Sequence, residues 1–280
     1  MVKRSILMTV HDREPAVMMS TLRSLWRAGV GDEEEVVIVN DRSSRELAWV
    51  ESIAVKYFKN VKVVAVKNEP EYSINGFANP SRAFNVGLEE CVGKDLWIMS
   101  SDVLVNAAVV TKARTIKTDR LIWTPLILDL DTQAQYCGPN RMFPMPWFLV
   151  CNTAKAKECG GWDETYMQGM CYEDNDFVGR LAIATGAIQG DWTRCAYHQS
   201  HDQPAYNVSD PDVAAANAKN KDWTRLKWGG IPFTKDLICF DVVREMDRDS
   251  GLPIHNVIDE QGKFSQARAM TTGRFSVASV

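Results

Sequence analysis

No two of the seven cysteines, at positions 91, 137, 151, 159, 171, 195 and 239, are spaced C-x-x-C. That absence excludes a zinc ribbon and a thioredoxin-type redox centre. An odd, scattered set fits reduced thiols in the cytosol better than a disulfide framework, so a cytoplasmic location is expected. Long hydrophobic runs are also missing. The longest uncharged stretch, Met142–Ala154, holds two prolines and is too short to span a bilayer, and the apolar residues before His11–Asp12 are too few for a signal-peptide core. No transmembrane segment is expected. There is no excess of positive charge: the formal net charge is -4, which gives no global attraction to nucleic acid or anionic membrane. Glycine-rich phosphate loops are absent too. Gly29-Val30-Gly31 runs into four acidic residues and precedes a strand, so neither a dinucleotide fingerprint nor a P-loop is present. No internal repeat and no low-complexity tract occurs.

What is present is an ordinary soluble composition over 280 residues, 45% hydrophobic and 24% charged, which suits one large domain or two small ones. Strand-like and helix-like stretches alternate through the first half. The strands are Ser5–Val10, Glu35–Asn40, Val61–Val66 and Asp95–Ser100. The helices are Pro15–Ala28, Arg45–Phe58 and Ser81–Cys91, their apolar residues at helical spacing. Strands separated by helices imply parallel pairing in a sheet covered on both faces, with right-handed crossovers. Ligands then bind beyond the carboxyl ends of the strands, which singles out His11–Asp12, Asp41 and Ser101–Asp102. The second half is less regular: strands at Leu121–Leu128, Phe148–Cys151 and Thr193–His198, a short helix Thr153–Cys159 stopped by Gly160–Gly161, and a helix Asp174–Thr185. From Gln203 the character changes, and residues 206–280 are expected to form a C-terminal extension on a domain of residues 1–205, with an Ala-rich helix at Val213–Lys219.

Five segments, in order, resemble the GT-A glycosyltransferases, particularly the family 2 type, with some likeness to chondroitin-polymerase and polypeptide GalNAc-transferase catalytic domains. SILMTVHDR resembles an opening strand and loop usually written P-T-Y-N-R. VVIVNDRSS resembles V-V-D-D-G-S. SRAFNVGLEECVGKDLWIMSSD resembles an A-R-N-x-G helix followed by the strand that bears a D-x-D motif. GGWDETYMQGMCYEDNDFVGRL resembles G-G-F-D-E…E-D-x-D-x-x-x-R and is the most specific. AYHQSH resembles the late strand that delivers a metal-binding histidine. The likeness covers about residues 3 to 203. It implies an α/β GT-A fold, a mostly parallel central sheet with helices on both faces, and transfer of a sugar from a nucleotide-sugar to an acceptor hydroxyl.

The resemblance also implies roles, residue by residue. A departing diphosphate needs charge compensation, which a divalent metal supplies as a Lewis acid. Mn²⁺ or Mg²⁺ is the expected cofactor, with Asp102 and His198 as ligands and His201 as a weaker candidate. Ser100 replaces the first aspartate of D-x-D, which lowers the ligand charge and leaves room for a non-catalytic homologue. Asp41 is expected to accept from the donor edge of a base, commonly uracil, since a carboxylate only accepts. A UDP-sugar is therefore the expected donor. Val10, His11, Arg13, Arg82, Asn85, Ser101 and Trp162 complete the expected nucleotide-sugar site, His11 stacking on the base and the arginines meeting phosphate. Arg13 is equally at home as a solvated loop arginine, and Trp162 as a core residue. Asp174 is expected to be the general base of an inverting transfer, and Glu173 a positioning group. Both would equally suit the first turn of a helix. Asp163 and Glu164 are expected to cap and brace their loop. A retaining GT-A transferase is the alternative. The acceptor is open: a glycan, a protein, a lipid-linked sugar or a modified nucleobase. Trp223, Arg225, Lys227 and Trp228 are candidates for its wall, or for a helix end docked on the core.

Overall fold

The computed structural model describes residues 1–43, 48–66, 79–137, 146–201 and 210–229, with strand backbone at 73–74, 77–78, 242–246, 253–257, 267–269 and 275–277. In chain order the elements are β1 (Arg4–Val10), α1 (Pro15–Arg27), β2 (Glu34–Asn40), α2 (Ala48–Tyr57), β3 (Val61–Ala65), β4 (Ser73–Ile74), β5 (Phe77–Ala78), α3 (Ser81–Glu90), β6 (Asp95–Met99), β7 (Val103–Leu104), α4 (Ala107–Ala113), β8 (Ile122–Asp129), β9 (Gln135–Cys137), β10 (Phe148–Asn152), α5 (Thr153–Glu158), a 3-10 turn (Glu164–Gln168), α6 (Glu173–Thr185), β11 (Ala187–His198), α7 (Pro211–Trp228), β12 (Val242–Met246) and β13 (Pro253–Val257). Residues 45–47, expected to open the second helix, and most of the C-terminal extension lie outside the described residues.

One sheet organises the chain, in the order β12-β13-β11-β8-β10-β6-β1-β2-β3. The β3-β2-β1-β6 half is parallel throughout, as is the β8–β11 pair. Strand β10 runs antiparallel to both β6 and β8. It enters the sheet where β6 leaves it, Ser100 N–H donating to Trp147 C=O, so it has to run backwards. The strands read as unbroken apolar runs because helices cover both faces. Side chains alternate between two cores with the period of a strand. Ile6, Met8, Val36, Ile38, Trp97, Met99, Phe148 and Val150 pack with Met18, Leu22, Leu25, Val50, Val109 and Val110 from α1, α2 and α4. Leu7, Val37, Val39, Leu96, Ile98, Leu149 and Cys151 pack on the other face with Phe84, Leu88, Ala156, Phe177 and Leu181 from α3, α5 and α6. Gly87 shows how close this second layer sits: a Cβ there would lie 2.3 Å from Leu7 Cδ1 and 2.6 Å from Val39 Cγ2.

Helix α7, from the expected C-terminal extension, packs directly on this body. Tyr166 Oη and Thr224 Oγ1 are 2.9 Å apart, and Asn220 Nδ2 donates to the carbonyls of Tyr166 (2.8 Å) and Cys171 (2.9 Å). Trp228 Nε1 donates to Asp176 Oδ1 at 2.8 Å, and Lys227 Nζ pairs with Asp163 and Asp176, each at 2.8 Å. Lys227 and Trp228 are therefore docked on the core, while Trp223 and Arg225 remain exposed. No helix among the described residues is long and apolar enough to cross a membrane.

Candidate active site

The carboxyl ends of β1, β2, β6 and β11 meet the amino end of α6. Of the five non-glycine residues with positive φ among the described residues, four stand on these loops: Asp12 (43°), Arg42 (56°), Cys171 (61°) and Tyr172 (71°). Such backbone costs of order 1–3 kcal/mol per residue and persists where the surroundings fix it, which is characteristic of functional loops.

Asp102 follows β6 and is 1% exposed. Antiparallel pairing of β7 with the end of β11 sets Val103 opposite His198, which explains why residues nearly a hundred positions apart face one another. The loop is pinned from α1: Thr21 Oγ1 donates to the Ser101 carbonyl, and Gln199 Nε2 to Thr21 Oγ1 and the Val17 carbonyl. Ligand atoms of Asp102, His198 and His201 all lie within 4.8 Å of one another. His201 Nε2 is 3.0 Å from Asp102 Oδ2, and His198 Nε2 is 3.9 Å from it. Burial raises the Asp102 pKa, but the His201 hydrogen bond, the Arg13 charge and a Ser100 hydrogen bond outweigh it, and the net shift is downward. Ser100 thus helps hold the Asp102 pKa down but adds no second carboxylate. His198 stacks on Tyr136 (centroids 3.8 Å apart, 5° between planes) with Trp147 edge-on at 5.5 Å. Burial lowers its pKa against the raising effect of the Asp102 charge.

This trio fits a divalent cation. One carboxylate and two imidazoles are a donor set that Mn²⁺ accepts. The decisive observation is the orphaned atoms: Asp102 Oδ1 and both ring nitrogens of His198 are buried without a hydrogen-bond partner among the described residues, a state rare for buried polar atoms unless something else occupies it.

Asp41 is 1% exposed, its N–H donating to the Val10 carbonyl at 2.8 Å. Arg42 Nε donates to its carboxylate at 2.9 Å, and His11 Nδ1 lies 2.6 Å from its carbonyl. Burial raises the Asp41 pKa against the lowering effect of Arg42 and His11. A second Arg42 nitrogen reaches the Asn79 carbonyl at 3.5 Å, and Asn79 Nδ2 donates to Glu173 Oε2 at 3.0 Å. Arg42 and Asn79 were not singled out from sequence; only the adjacency of Arg42 to Asp41 signalled either.

At the start of α6, Glu173 is 5% exposed and Asp174 half-buried. Burial pushes both carboxyls up, and for Glu173 the neighbouring Asp174 charge adds to the rise. The deeper Glu173 is the better holder of a proton. Trp162 Nε1 donates to Asp174 Oδ1 at 3.1 Å and lowers its pKa. The Trp162 ring itself is 1% exposed, sandwiched between Phe84 (4.4 Å) and Phe177 (3.7 Å). Asn85 accepts from Trp162 N–H and donates to its carbonyl, each at 2.8 Å, and donates to Glu164 at 2.9 Å. Arg82 pairs with Glu164 at 2.9 Å. Arg82 and Asn85, on α3, therefore hold the loop that carries Trp162. Asp163 caps the 3-10 turn by accepting from Thr165 N–H at 2.9 Å. Arg180 pairs with Asp176 at 2.7 Å and bonds the Cys159 carbonyl, tying α6 to the end of α5. Asp41, Asp102, Glu173 and Asp174 thus stand at one edge of the sheet, with an adjoining pair of imidazoles.

No family model and no curated protein matches the sequence. Solved structures do. Residues 1–349 of S. aureus TarS in complex with UDP-GlcNAc align with a TM-score of 0.57 at 14% identity, over 81% of this chain and 73% of that one. Mannosyltransferase PcManGT from Pyrobaculum calidifontis, in complex with GDP-Man and Mn²⁺, aligns at 0.59 and 10%, over 82% and 66%. GalNAc-T7 with UDP, GalNAc and Mn²⁺ aligns at 0.52 and 13%, over 80% and 48%. The chain thus spans between about half and three quarters of the length of these proteins. At such identity the likeness is one of fold, and the fold of this chain is GT-A, the architecture of these glycosyltransferases.

Proposed function

We propose that the chain is a glycosyltransferase that moves a sugar from a UDP-sugar to an acceptor hydroxyl, with inversion, at a site holding Mn²⁺ or Mg²⁺. The observation that carries this reading is the Asp102–His198–His201 cluster, with its orphaned Asp102 and His198 atoms, standing at the same sheet edge as Asp41 and the Glu173–Asp174 pair. The fold's solved members with bound UDP, UDP-GlcNAc and GDP-Man, two of them with Mn²⁺, support it. Asp102 and the two histidines would hold the cation, which when bound supplies Lewis-acid compensation of the diphosphate charge. Asp41 accepts the N–H of the base, and Arg42 fixes its carboxylate. Asp174 takes the proton of the acceptor hydroxyl; that oxygen forms its bond to the anomeric carbon as the bond to the diphosphate oxygen breaks and UDP departs. Trp162 orients Asp174 through Oδ1 and leaves Oδ2 without a hydrogen bond among the described residues. Glu173, held by Asn79, positions the sugar or the acceptor. Residues 206–280 are proposed to contribute to the acceptor side.

The test is Asp174→Asn, which keeps size and shape but cannot take a proton. It should fold, bind UDP-sugar nearly as well, and lose transfer by roughly 10²-fold or more, the scale of general-base removal. A donor panel assayed with and without EDTA, with product anomeric configuration read by NMR, accompanies it. Near-wild-type turnover in Asp174→Asn, or retained configuration, would place the retaining mechanism first; no sugar release from any donor would leave a binding protein.

A further inference from the structure

We infer that Arg13 is an exchangeable counter-ion, which neutralises Asp102 in the cation-free site and passes to the donor's diphosphate when a divalent cation enters. The inference rests on the proposed donor and cation site. Its starting point is that the site is already occupied by a cation. Arg13 Nη2 lies 2.8 Å from Asp102 Oδ2, and Nη1 lies 2.6 Å and 2.7 Å from the two ring nitrogens of His201. One guanidinium therefore touches two of the three proposed ligands. An ionised carboxylate as buried as Asp102 carries a large desolvation penalty unless a positive charge faces it. Arg13 supplies that charge.

A divalent ion on Asp102 and the histidines would put two like charges against one carboxylate oxygen. A lysine or histidine could shed its proton. Arginine keeps its charge under any protein condition, so Arg13 can only move. The structure lets it. Its side chain is 20% exposed, its Nε has no hydrogen-bond partner among the described residues, and it follows Asp12, whose φ is 43°. Two of the three ligands already offer open atoms: Asp102 Oδ1 and the His198 nitrogens stand without donors among the described residues, and moving Arg13 also frees His201. The planar fork of the guanidinium matches phosphate oxygens as well as a carboxylate, so a diphosphate arriving with the cation offers Arg13 a new partner. Without nucleotide the cation must break the Arg13–Asp102 contact uncompensated. With nucleotide the contact is replaced. Cation and nucleotide then favour each other's binding through Arg13, and the coupling is reciprocal.

The experiment uses the full chain, with Mn²⁺ binding read by electron paramagnetic resonance without nucleotide, and UDP binding by calorimetry at saturating Mn²⁺. Arg13→Gln should tighten nucleotide-free Mn²⁺ binding and weaken UDP binding, each by about tenfold or more, the change expected from one hydrogen bond to a charged group. A role in folding alone would move both affinities the same way. Arg13→Lys keeps the charge but loses the fork that reaches Asp102 and His201 together, and should shift both in the same directions by less. Unchanged or weaker nucleotide-free Mn²⁺ binding in Arg13→Gln overturns the exchange, as it does in Arg13→Lys should the glutamine variant fail to fold. Wild-type protein that binds neither Mn²⁺ nor UDP would instead overturn the donor-site reading itself.

Discussion

Trp162 serves the core with its ring and the site with its nitrogen. The two stacked partners, Phe84 and Phe177, are each worth about 0.5–1.5 kcal/mol beyond area burial, so the ring is anchored before its Nε1 points at Asp174. Removing only the N–H isolates the second role. Trp162→Phe keeps an aromatic between its neighbours and deletes the donor. The Asp174 pKa, already raised by burial, should rise further because the one hydrogen bond lowering it is gone. A base with a higher pKa is ionised only at higher pH, so the acid limb of the pH profile of kcat/KM should move upward while the alkaline limb stays. An acid limb that does not move would mean that Trp162 only packs. The sequence left this residue between sugar pocket and core because G-G-W-D-E says nothing about which edge of the indole faces what. Arg82 and Asn85 show the same limit: their spacing of one helical turn was legible, but not that their partners would be Glu164 and the Trp162 backbone.

At the scale of elements, α7 matters most and was least legible as part of the site. A composition shift at Gln203 marked it as an appendage, and an Ala-rich helix of little amphipathic pattern offers no sign of what it packs on. In the structure it grips the segment that leads into α6. Asn220 holds the carbonyls on either side of Gly169, where a Cβ would come within 2.3 Å of Asn220 Oδ1. Just beyond, Cys171 and Tyr172 turn through left-handed backbone to aim Glu173 and Asp174. Asn220→Ala should leave the Cys171 carbonyl short of its partner, at about 1–3 kcal/mol if water cannot reach it, while the Tyr166 carbonyl keeps the Gly169 N–H. Beyond a lower Tm, we expect kcat to fall severalfold with KM for the donor little changed, because the turn carries the proposed base and not the proposed nucleotide contacts. Equal losses in both would assign α7 to general stability. The strands and helices of the first half, by contrast, were readable because continuous apolar runs alternating with helical spacing have few other solutions. The reversal of β10 was not, since an apolar run carries no direction.

At the scale of the whole molecule, the site is an intersection of chain segments far apart in sequence. Asp41, Asp102, Asp174 and His198 reach it from β2, β6, α6 and β11, spanning both the parallel half of the sheet and its β8–β11 side. The positions of Asp41 and Asp102 were legible because each follows a strand at the carboxyl edge, where the topology must gather them, whereas Asp174 and His198 were marked only by the family resemblance. Their partners were not, because contacts across the edge depend on loop backbone such as Asp12 and Arg42. A ligand that touches all these segments ties the two halves of the sheet together and should stabilise the fold as a unit. Binding only to the native state contributes about 2.7 kcal/mol at a hundredfold excess over Kd. At roughly 2–4 °C per kcal/mol for a chain of about this size, UDP with Mn²⁺ should raise Tm by about 5 °C or more in a single transition. EDTA should remove most of that shift, and Asp41→Ala should reduce it while sparing metal-stimulated turnover at saturating donor. With Asp41 as the proposed acceptor for a base N–H, a carboxylate that cannot donate, UDP should outperform ADP, whose adenine ring carries no N–H on its pairing edge beyond the exocyclic amine. Equal shifts from UDP, GDP and ADP would show that the phosphates alone are held, and would take base recognition away from Asp41 while leaving the cation site in place.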